Sequence, residues 1–592
     1  MKADINYSLK EEEYSKRTFP LSWLISFFKP YLPQLLTALG MAVIINLASL
    51  AGPYITEIVI DDHLGKNSGD MTALIILAAA YFGATLISSV FSYMQEVLVG
   101  KVGQKIVFNI RTQLYEKIQR LTLSFFDKNS SGRIFTRLTS DVEAMSDMVS
   151  TVLVSLFSDG IMIIGIIVMM IVMSPRVAGY ALLVLPVIMI SVYIFRVVMR
   201  KIFIKIKAAL SHLNGFLAES ITGFSIIKLF AREKEKNEEF GILTKRHYRL
   251  GLAQIVGHTF GGPYMDMLNN LACAFLFYIF AKDIVGGVVE VGIVYGEITY
   301  LKKFFDPIVQ IIEQYTDIQS ALVSGERIYS VFKIDEEEDY TSGERLTSKP
   351  KGDIEFRNVT FAYNDDNYVI KNLSFHARAG EHIAFVGATG SGKSTVISLL
   401  CRFYKINEGN ILLDGKSIYD INLVDLRRYI SVIQQEPFLF TSNVMKNITL
   451  GDGDITAEDV TNAAHITGAD SFISGLNDGY SSSVSERGRT FSQGQRQLIS
   501  FTRAAVRSPS IFILDEATAN IDTETEEHIK SALESASKGI TRITVAHRLS
   551  TITDSDCIYV LKKGELRESG THEELIALGG IYKRLYENSI NN

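Results

Sequence analysis

The spacing of apolar and polar positions divides this chain near residue 334. Ahead of that point, unbroken apolar runs occupy 35–60, 71–94, 148–173, 177–195 and 256–280. Each is long enough for a helix to cross a hydrocarbon core ~30 Å thick. A sixth run, 292–312, is interrupted by Glu297, Lys302, Lys303 and Asp306, charges that a span tolerates when it faces a protein interior or an aqueous cavity. The pattern predicts six spanning helices. A shorter stretch, 21–32, carries Trp23, Phe27, Phe28 and Tyr31 and is broken by Pro30 and Pro33. It is too short to span, and reads either as a helix lying along the membrane surface or as a buried amphipathic helix. Beyond 334 the composition is that of an ordinary globular domain. There 354–363 alternates as a strand does, while 382–386, which opens on His382, and 511–514 are short apolar runs of the kind found in buried strands.

The segments between the apolar runs sort by charge. Asp61, Asp62 and Asp70 make the first acidic, and Ser174-Pro175-Arg176 makes the third very short. The second is long and basic (Lys101, Lys105, Arg111, Lys117, Arg120), and so is the fourth (Arg200, Lys201, Lys205, Lys207, Lys228). Basic loops stay in the cytoplasm, which predicts a multi-pass protein of the cytoplasmic membrane with both termini and the C-terminal half inside. The two basic segments read as helices extending beyond the bilayer, each with an apolar island at its turn, 123–127 and 222–230. Such islands suit contact with another body or packing on their own hairpin.

Composition refines this. Of 592 residues 47% are hydrophobic, and the mean hydropathy of +0.18 is explained by the first half alone. A net charge of −6, with no dominant basic stripe, argues against nucleic-acid binding. Cys273, Cys401 and Cys557 lie far apart and indicate neither a disulfide framework nor a zinc site. Residues 1–17 are polar and of mixed charge, unlike a cleavable signal peptide.

The chemistry is concentrated in Gly387-Ala388-Thr389-Gly390-Ser391-Gly392-Lys393-Ser394, followed by Thr395. It matches G-x-x-x-x-G-K-[ST] between an apolar strand and an apolar helical start, the context in which backbone N–H groups close around phosphate oxygens. Lys393 would reach the β- and γ-phosphates and Ser394 would hold Mg²⁺. Downstream, the run 511–514 ends in Asp515-Glu516, which would bring one carboxylate to the metal's water shell and one to the attacking water. Tyr363, at the end of the first alternating stretch, offers a ring for adenine.

With these residues in place, 354–588 resembles the nucleotide-binding domain of an ATP-binding cassette (ABC) transporter. Tyr363 matches that family's adenine-stacking aromatic, and Gln435 its metal- and water-sensing glutamine. Phe491-Ser492-Gln493-Gly494-Gln495 matches the signature that caps nucleotide in a facing subunit. Asp515 matches the metal-associated carboxylate, Glu516 the catalytic one, Ala519-Asn520-Ile521-Asp522 the loop that signals across the dimer, and His547 the switch histidine. The whole chain is similar to an exporter-type half-transporter. That resemblance implies an all-α six-helix transmembrane domain with long cytoplasmic extensions, then an α/β P-loop NTPase domain with antiparallel β and helical subdomains. It implies domains at 1–34 (N-terminal segment and elbow), 35–334 (membrane), 335–351 (linker) and 352–592 (ATPase), with the two islands as coupling helices.

The signature departs from Leu-Ser-Gly-Gly-Gln at Gln493, where glycine permits close backbone approach, and Ala519 stands where serine is usual. Glu516 and His547 are intact. One chain with a complete hydrolytic half and an altered signature implies a heterodimer with a different half-transporter; a homodimer with two slow sites is the alternative. Asp159 and Asp266 fall inside spans. There they either mark a pathway for hydrophobic or cationic amphiphilic substrates, as in multidrug export, or serve structure. A lipid or lipopeptide flippase would share every motif, and a regulatory channel could share the architecture. A membrane-free DNA-repair ATPase is excluded by the apolar half, and an importer is disfavoured because its membrane and ATPase parts are usually separate chains.

Overall fold

The computed structural model describes residues 21–65, 70–286, 289–334, 336, 342–364, 367–515, 534, 537–546 and 549–590. The chain forms two compact units, 1–118 with 132–333, and 119–131 with 334–592.

Six long helices build the first unit: α1 (Leu32–Ile58), α2 (Met71–Gln119), α3 (Leu153–Met173), α4 (Pro175–Thr222), α5 (Glu233–Val285) and α6 (Val291–Phe332). Their starts are written locally. Asp70 accepts from the backbone N–H groups of Thr72 (3.0 Å) and Ala73 (3.2 Å) at the head of α2. Ser174 accepts from Val177 N (3.4 Å) ahead of α4, with Pro175 supplying a preformed φ at its first position. Pro53, Pro186, Pro263 and Pro307 lie inside α1, α4, α5 and α6, where neighbouring helices can satisfy the freed carbonyls.

The core of this unit joins Leu50 of α1, Ile166 and Met170 of α3, Leu276 and Phe280 of α5, and Val294, Tyr300 and Phe304 of α6. The charges that interrupt the sixth apolar run are placed by the same packing. Lys303 Nζ donates to Ser49 O (2.8 Å) and Oγ (3.1 Å), and Glu297 is fully buried. The head of α6 is closely packed: a Cβ on Gly292 would stand 2.7 Å from Glu57 O of α1, and one on Gly296 2.4 Å from Met173 Cε of α3. Tyr300 Oη donates to Leu50 O (2.6 Å) one turn further along. By contrast the first half of α2 exposes Ile75, Phe82, Leu86 and Tyr93, whereas its second half buries a stripe through Val102, Ile106, Ile110, Leu114 and Ile118. The short helix Leu21–Phe28 buries Phe28 and sets Trp23 against Tyr329 and Phe332 of α6, while Ile25 remains exposed. It is thus partly docked on protein.

The second unit contains two sheets and a two-stranded ribbon. The antiparallel sheet runs β2-β1-β4-β5, from β1 (Ile354–Ala362), β2 (Tyr368–Ala377), β4 (Glu408–Leu413) and β5 (Lys416–Ser417). The larger sheet runs β12-β11-β3-β10-β9-β6. It comprises β3 (His382–Val386), β6 (Ile430–Ile433), β9 (Ile511–Asp515), β10 (Thr541–Val545), β11 (Cys557–Lys562) and β12 (Glu565–Gly570), all parallel except β12. Five of its members are parallel and covered on both faces, which is why β3 and β9 read as unbroken apolar runs. A separate helical core around Leu439, Val444, Ile448, Val460, Phe491 and Ile499 includes the ribbon β7 (Ser442–Asn443) and β8 (Ser483–Val484) at its margin. Residues 342–350 lie along this unit, with Glu344 bridging to Ile421 and Leu346 N donating to Asp425 (2.9 Å). The island 123–127 also belongs here: it forms the helix Leu123–Lys128, buries Phe125 and receives the Tyr404 hydroxyl on Asp127.

Candidate functional site: a phosphate loop at the carboxyl ends of a parallel sheet

Strand register assembles the site. Phe385 of β3 pairs with Val545 of β10, Val545 pairs with Asp515 of β9, and Leu514 pairs with Ile433 of β6. One row across the sheet therefore sets the phosphate loop, the segment leading to His547, the Asp515 carboxylate and the approach to Gln435 at neighbouring strand ends. The carboxyl ends of parallel strands are where open α/β sheets bind ligands.

The loop closes around α7 (Lys393–Leu400), whose N-cap Gly392 has φ +105°. A Cβ on Gly392 would meet Ile370 Cδ1 at 2.6 Å, and one on Gly387 (φ +153°) would meet Leu561 O at 2.2 Å. Both positions need glycine for space as well as for conformation. Ser391 N donates to Ala388 O (3.0 Å), and Gly564 N to Ser391 O (3.1 Å). Lys393 is 5% exposed, and its ammonium donates to Gly387 O (2.7 Å) and Ala388 O (3.4 Å), holding the charge at the loop. The Ser391 hydroxyl is closed to solvent and has no hydrogen-bond partner among the described residues. A phosphate oxygen would satisfy it, so the loop fits a nucleoside triphosphate. Ser394 is exposed on the first turn of α7, Gln435 is exposed two residues past β6, and Asp515 is half-buried. Hydroxyl, amide and carboxylate oxygens form a donor set suited to a hard cation such as Mg²⁺, which would neutralise phosphate charge there.

Tyr363 donates to or accepts from Thr395 Oγ1 at 3.1 Å and stands edge-on to Phe361 and Tyr404. This fixes a ring that is 41% exposed beside the loop helix. His382 opens β3, with Nε2 3.0 Å from Thr544 Oγ1 and Nδ1 receiving a guanidinium N–H of Arg542. Burial first, and then the Arg542 charge, push its pKa down to about 4, so it is neutral.

The signature sits elsewhere. Ser492 caps α8 (Gln493–Ala505): its hydroxyl accepts from Gln495 N (3.2 Å), and Gln495 Oε1 accepts from Ser492 N (2.9 Å). Phe491 and Ile499 root this turn in the helical core, whereas the loop helix is rooted in the sheet core through Val396, Leu399 and Leu400. Gly494 is buried and Gln493 half-exposed. Glu516, Ala519, Asp522 and His547 lie outside the described residues.

A loop of this construction, with a signature turn in a separate helical core and six long helices ahead of both, defines a membrane-anchored ABC ATPase. Residues 35–308 match the family described as ABC transporter transmembrane region, and 370–519 the family described as ABC transporter. Similarity extends along the chain. The putative ABC transporter ATP-binding protein exp8 of Streptococcus pneumoniae is 38% identical over 96% of both chains. The probable multidrug resistance ABC transporter ATP-binding/permease protein YheH of Bacillus subtilis is 37% identical over 88% of this chain and 77% of its own. An ATP-dependent lipid A-core flippase of Syntrophus aciditrophicus is 32% identical over 95% and 93%. Among solved structures, a bacterial Atm1-family ABC exporter with ATP bound superposes with TM-score 0.75 at 25% identity, covering 94% of this chain and 98% of that one. The chain belongs to the ABC transporter family, with an exporter-type membrane domain fused to its ATPase, and is an ATPase coupled to transport.

Several contacts were invisible to spacing. The Tyr363–Thr395 and Tyr404–Asp127 links join residues 32 and 277 positions apart. Arg503 of α8 donates to Asn447 O (2.7 Å) and Phe438 O (3.0 Å), clamping the segment that follows Gln435. Gln497, fully buried in α8, has no partner for either amide atom among the described residues. An unmet glutamine on the apolar face of an amphipathic helix was the available signal.

Proposed function

We propose that the chain is one half of a dimeric exporter that drives hydrophobic or amphiphilic small molecules out across the cytoplasmic membrane, with both termini in the cytoplasm. The observation that carries this is the rooting of the signature turn and the phosphate loop in different cores, so that neither alone encloses a nucleotide. In this reading Tyr363 stacks adenine. Gly387, Thr389, Gly390, Ser391, Gly392, Lys393 and Thr395 hold the phosphates, and Ser394, Gln435 and Asp515 hold Mg²⁺. Ser492, Gln493, Gly494, Gln495 and Asp522 face the nucleotide of the opposite subunit.

Glu516 takes the proton of a water that attacks the γ-phosphorus as the bond to ADP breaks, and His547 positions that phosphate. ATP does work only through its higher affinity for the closed dimer. With Glu516 intact and Gln493 in the signature, the partner is a different half-transporter with an ordinary signature. The flippases among the relatives support a second reading, lipid as cargo.

The test is ATP-driven uptake of dyes and of fluorescent lipid into inverted vesicles. The expected result is uphill accumulation of dye, whereas lipid-only movement selects the second reading. Glu516→Gln is expected to keep ATP binding and lose about 10²–10⁴-fold in turnover. Near-normal hydrolysis in that variant removes Glu516 from the role of base.

A further inference from the structure

A polar belt crosses the membrane unit where α1, α3 and α6 meet. Asn46 of α1, 6% exposed, donates to Ser158 O (2.8 Å) and Ser158 Oγ (3.2 Å) of α3. The next residue, Asp159, is 8% exposed and accepts, among the described residues, one hydrogen bond, from Gln314 Nε2 of α6 at 3.4 Å. That contact is long for N–H···O, and an ionised carboxylate accepts several donors. The other amide atom, Gln314 Oε1, is closed to solvent and has no partner among the described residues.

The site is thus short of donors at two adjacent acceptors. The stretches of α1, α3 and α6 that meet here supply no cation. No lysine, arginine or histidine occurs at 32–58 of α1, 153–173 of α3 or 304–326 of α6, and the last stretch adds Asp306, Glu313, Asp317 and Glu326. Lys303, eleven residues from Gln314 or roughly 16 Å along the helix, is engaged by Ser49. A carboxylate in a membrane bundle needs a countercharge or a hydrogen-bond donor. Orientation of the Gln314 amide is fixed by the carboxylate, which leaves Oε1 as an acceptor with no donor among the described residues.

We propose that Asp159 and Gln314 form a recognition site for the protonated amine of an amphiphilic substrate, whose N–H groups donate to the Asp159 carboxylate and to Gln314 Oε1. This rests on the export of amphiphiles proposed above and narrows their class. A quaternary ammonium brings the charge without the N–H, so Asp159 accounts for attraction to any cation, and the preference among cations is shared by the two N–H acceptors, Gln314 Oε1 and the carboxylate.

Three dansyl probes with one apolar body test this: a primary amine protonated at pH 7, its N,N,N-trimethyl quaternary salt and its neutral amide. Equilibrium binding is read by fluorescence anisotropy on the full transporter in nanodiscs, and ATP-driven uptake is read in inverted vesicles. The wild type is expected to bind the amine about tenfold tighter than the quaternary salt, the size of one well-made hydrogen bond to a buried acceptor. Gln314→Leu is expected to shrink that ratio by about threefold or more, and Asp159→Asn to weaken both cations about tenfold or more while leaving the amide within twofold.

An unchanged amine-to-quaternary ratio in Gln314→Leu overturns the proposal. So does an equal loss for all three probes in Asp159→Asn, which marks a structural pin. Selective amine binding without uptake supports the site and refutes export instead. Absence of amine selectivity in the wild type, with or without uptake, overturns the site.

Discussion

Gln493 sits on the first turn of α8 with the capping exchange between Ser492 and Gln495 complete beside it, so nothing within this chain demands glycine there. In the proposed dimer the demand arises across the interface, where the backbone would approach a nucleotide. In the proposed heterodimer the signature of this chain caps the less active site, and Gln493→Gly is expected to change steady-state turnover by less than about twofold. A gain of about tenfold would make Gln493 rate-limiting and favour a homodimer. A second residue-scale prediction concerns His382. The neutral imidazole binds no proton in the fold until pH falls to about 4, whereas the unfolded chain begins to bind one near 6.5. Stability therefore falls as pH drops from 6.5 to 4, by about 2 kcal/mol at pH 5, and levels off below 4. Acid titration of the ATPase-domain melting transition in the full chain checks this, and His382→Gln should flatten the slope. Residues with fixed local spacing were legible in sequence: the loop Gly387–Ser394 and the strand end at Asp515 are where the motif put them. Asp159–Gln314 and Tyr404–Asp127 were not, because their partners lie 155 and 277 positions away and no period links them.

At the scale of elements, the six apolar runs became six long helices, and periodicity also marked β1, β3 and β9. Hydropathy missed how the loop acids and the sixth-run charges are employed. Asp61 and Asp70, read as an acidic loop, serve as helix caps. Asp61 accepts from Gly292 N (2.5 Å) and Ile293 N (2.9 Å) at the head of α6, and Asp70 does the same work for α2. A charge at a helix N-terminus is invisible to a hydropathy pattern when the helix it caps lies over two hundred residues away. The close packing around the head of α6 makes a graded prediction. A methyl on Gly292 would meet the backbone of Glu57 and the Asp61 carboxylate (2.5 Å), whereas one on Gly296 would meet the movable end of Met173. Gly292→Ala should cost roughly 1–3 kcal/mol, read as a lower melting temperature, and Gly296→Ala less. Equal effects would mean that the carbonyl of Glu57 yields as easily as a methionine tip.

At the scale of the molecule, the two apolar islands have different fates. The first is taken into the ATPase unit, where Phe125 is buried and Asp127 is held by Tyr404. The second, the helix Phe224–Leu229, leaves Phe224, Ile226, Leu229 and Phe230 between 56% and 79% exposed in the single chain. Sequence marked both islands alike and offered no way to tell them apart, since the difference lies in which body covers each. In the proposed heterodimer and orientation, cells that make this polypeptide without its mate would carry a greasy fingertip into the cytosol, recognisable to quality-control proteases. Its half-life in a pulse-chase should lengthen when the mate is co-expressed, and replacing Leu229 and Phe230 with serine should lengthen the half-life of the orphan. Supply of the two halves would then be balanced by disposal of whichever is in surplus.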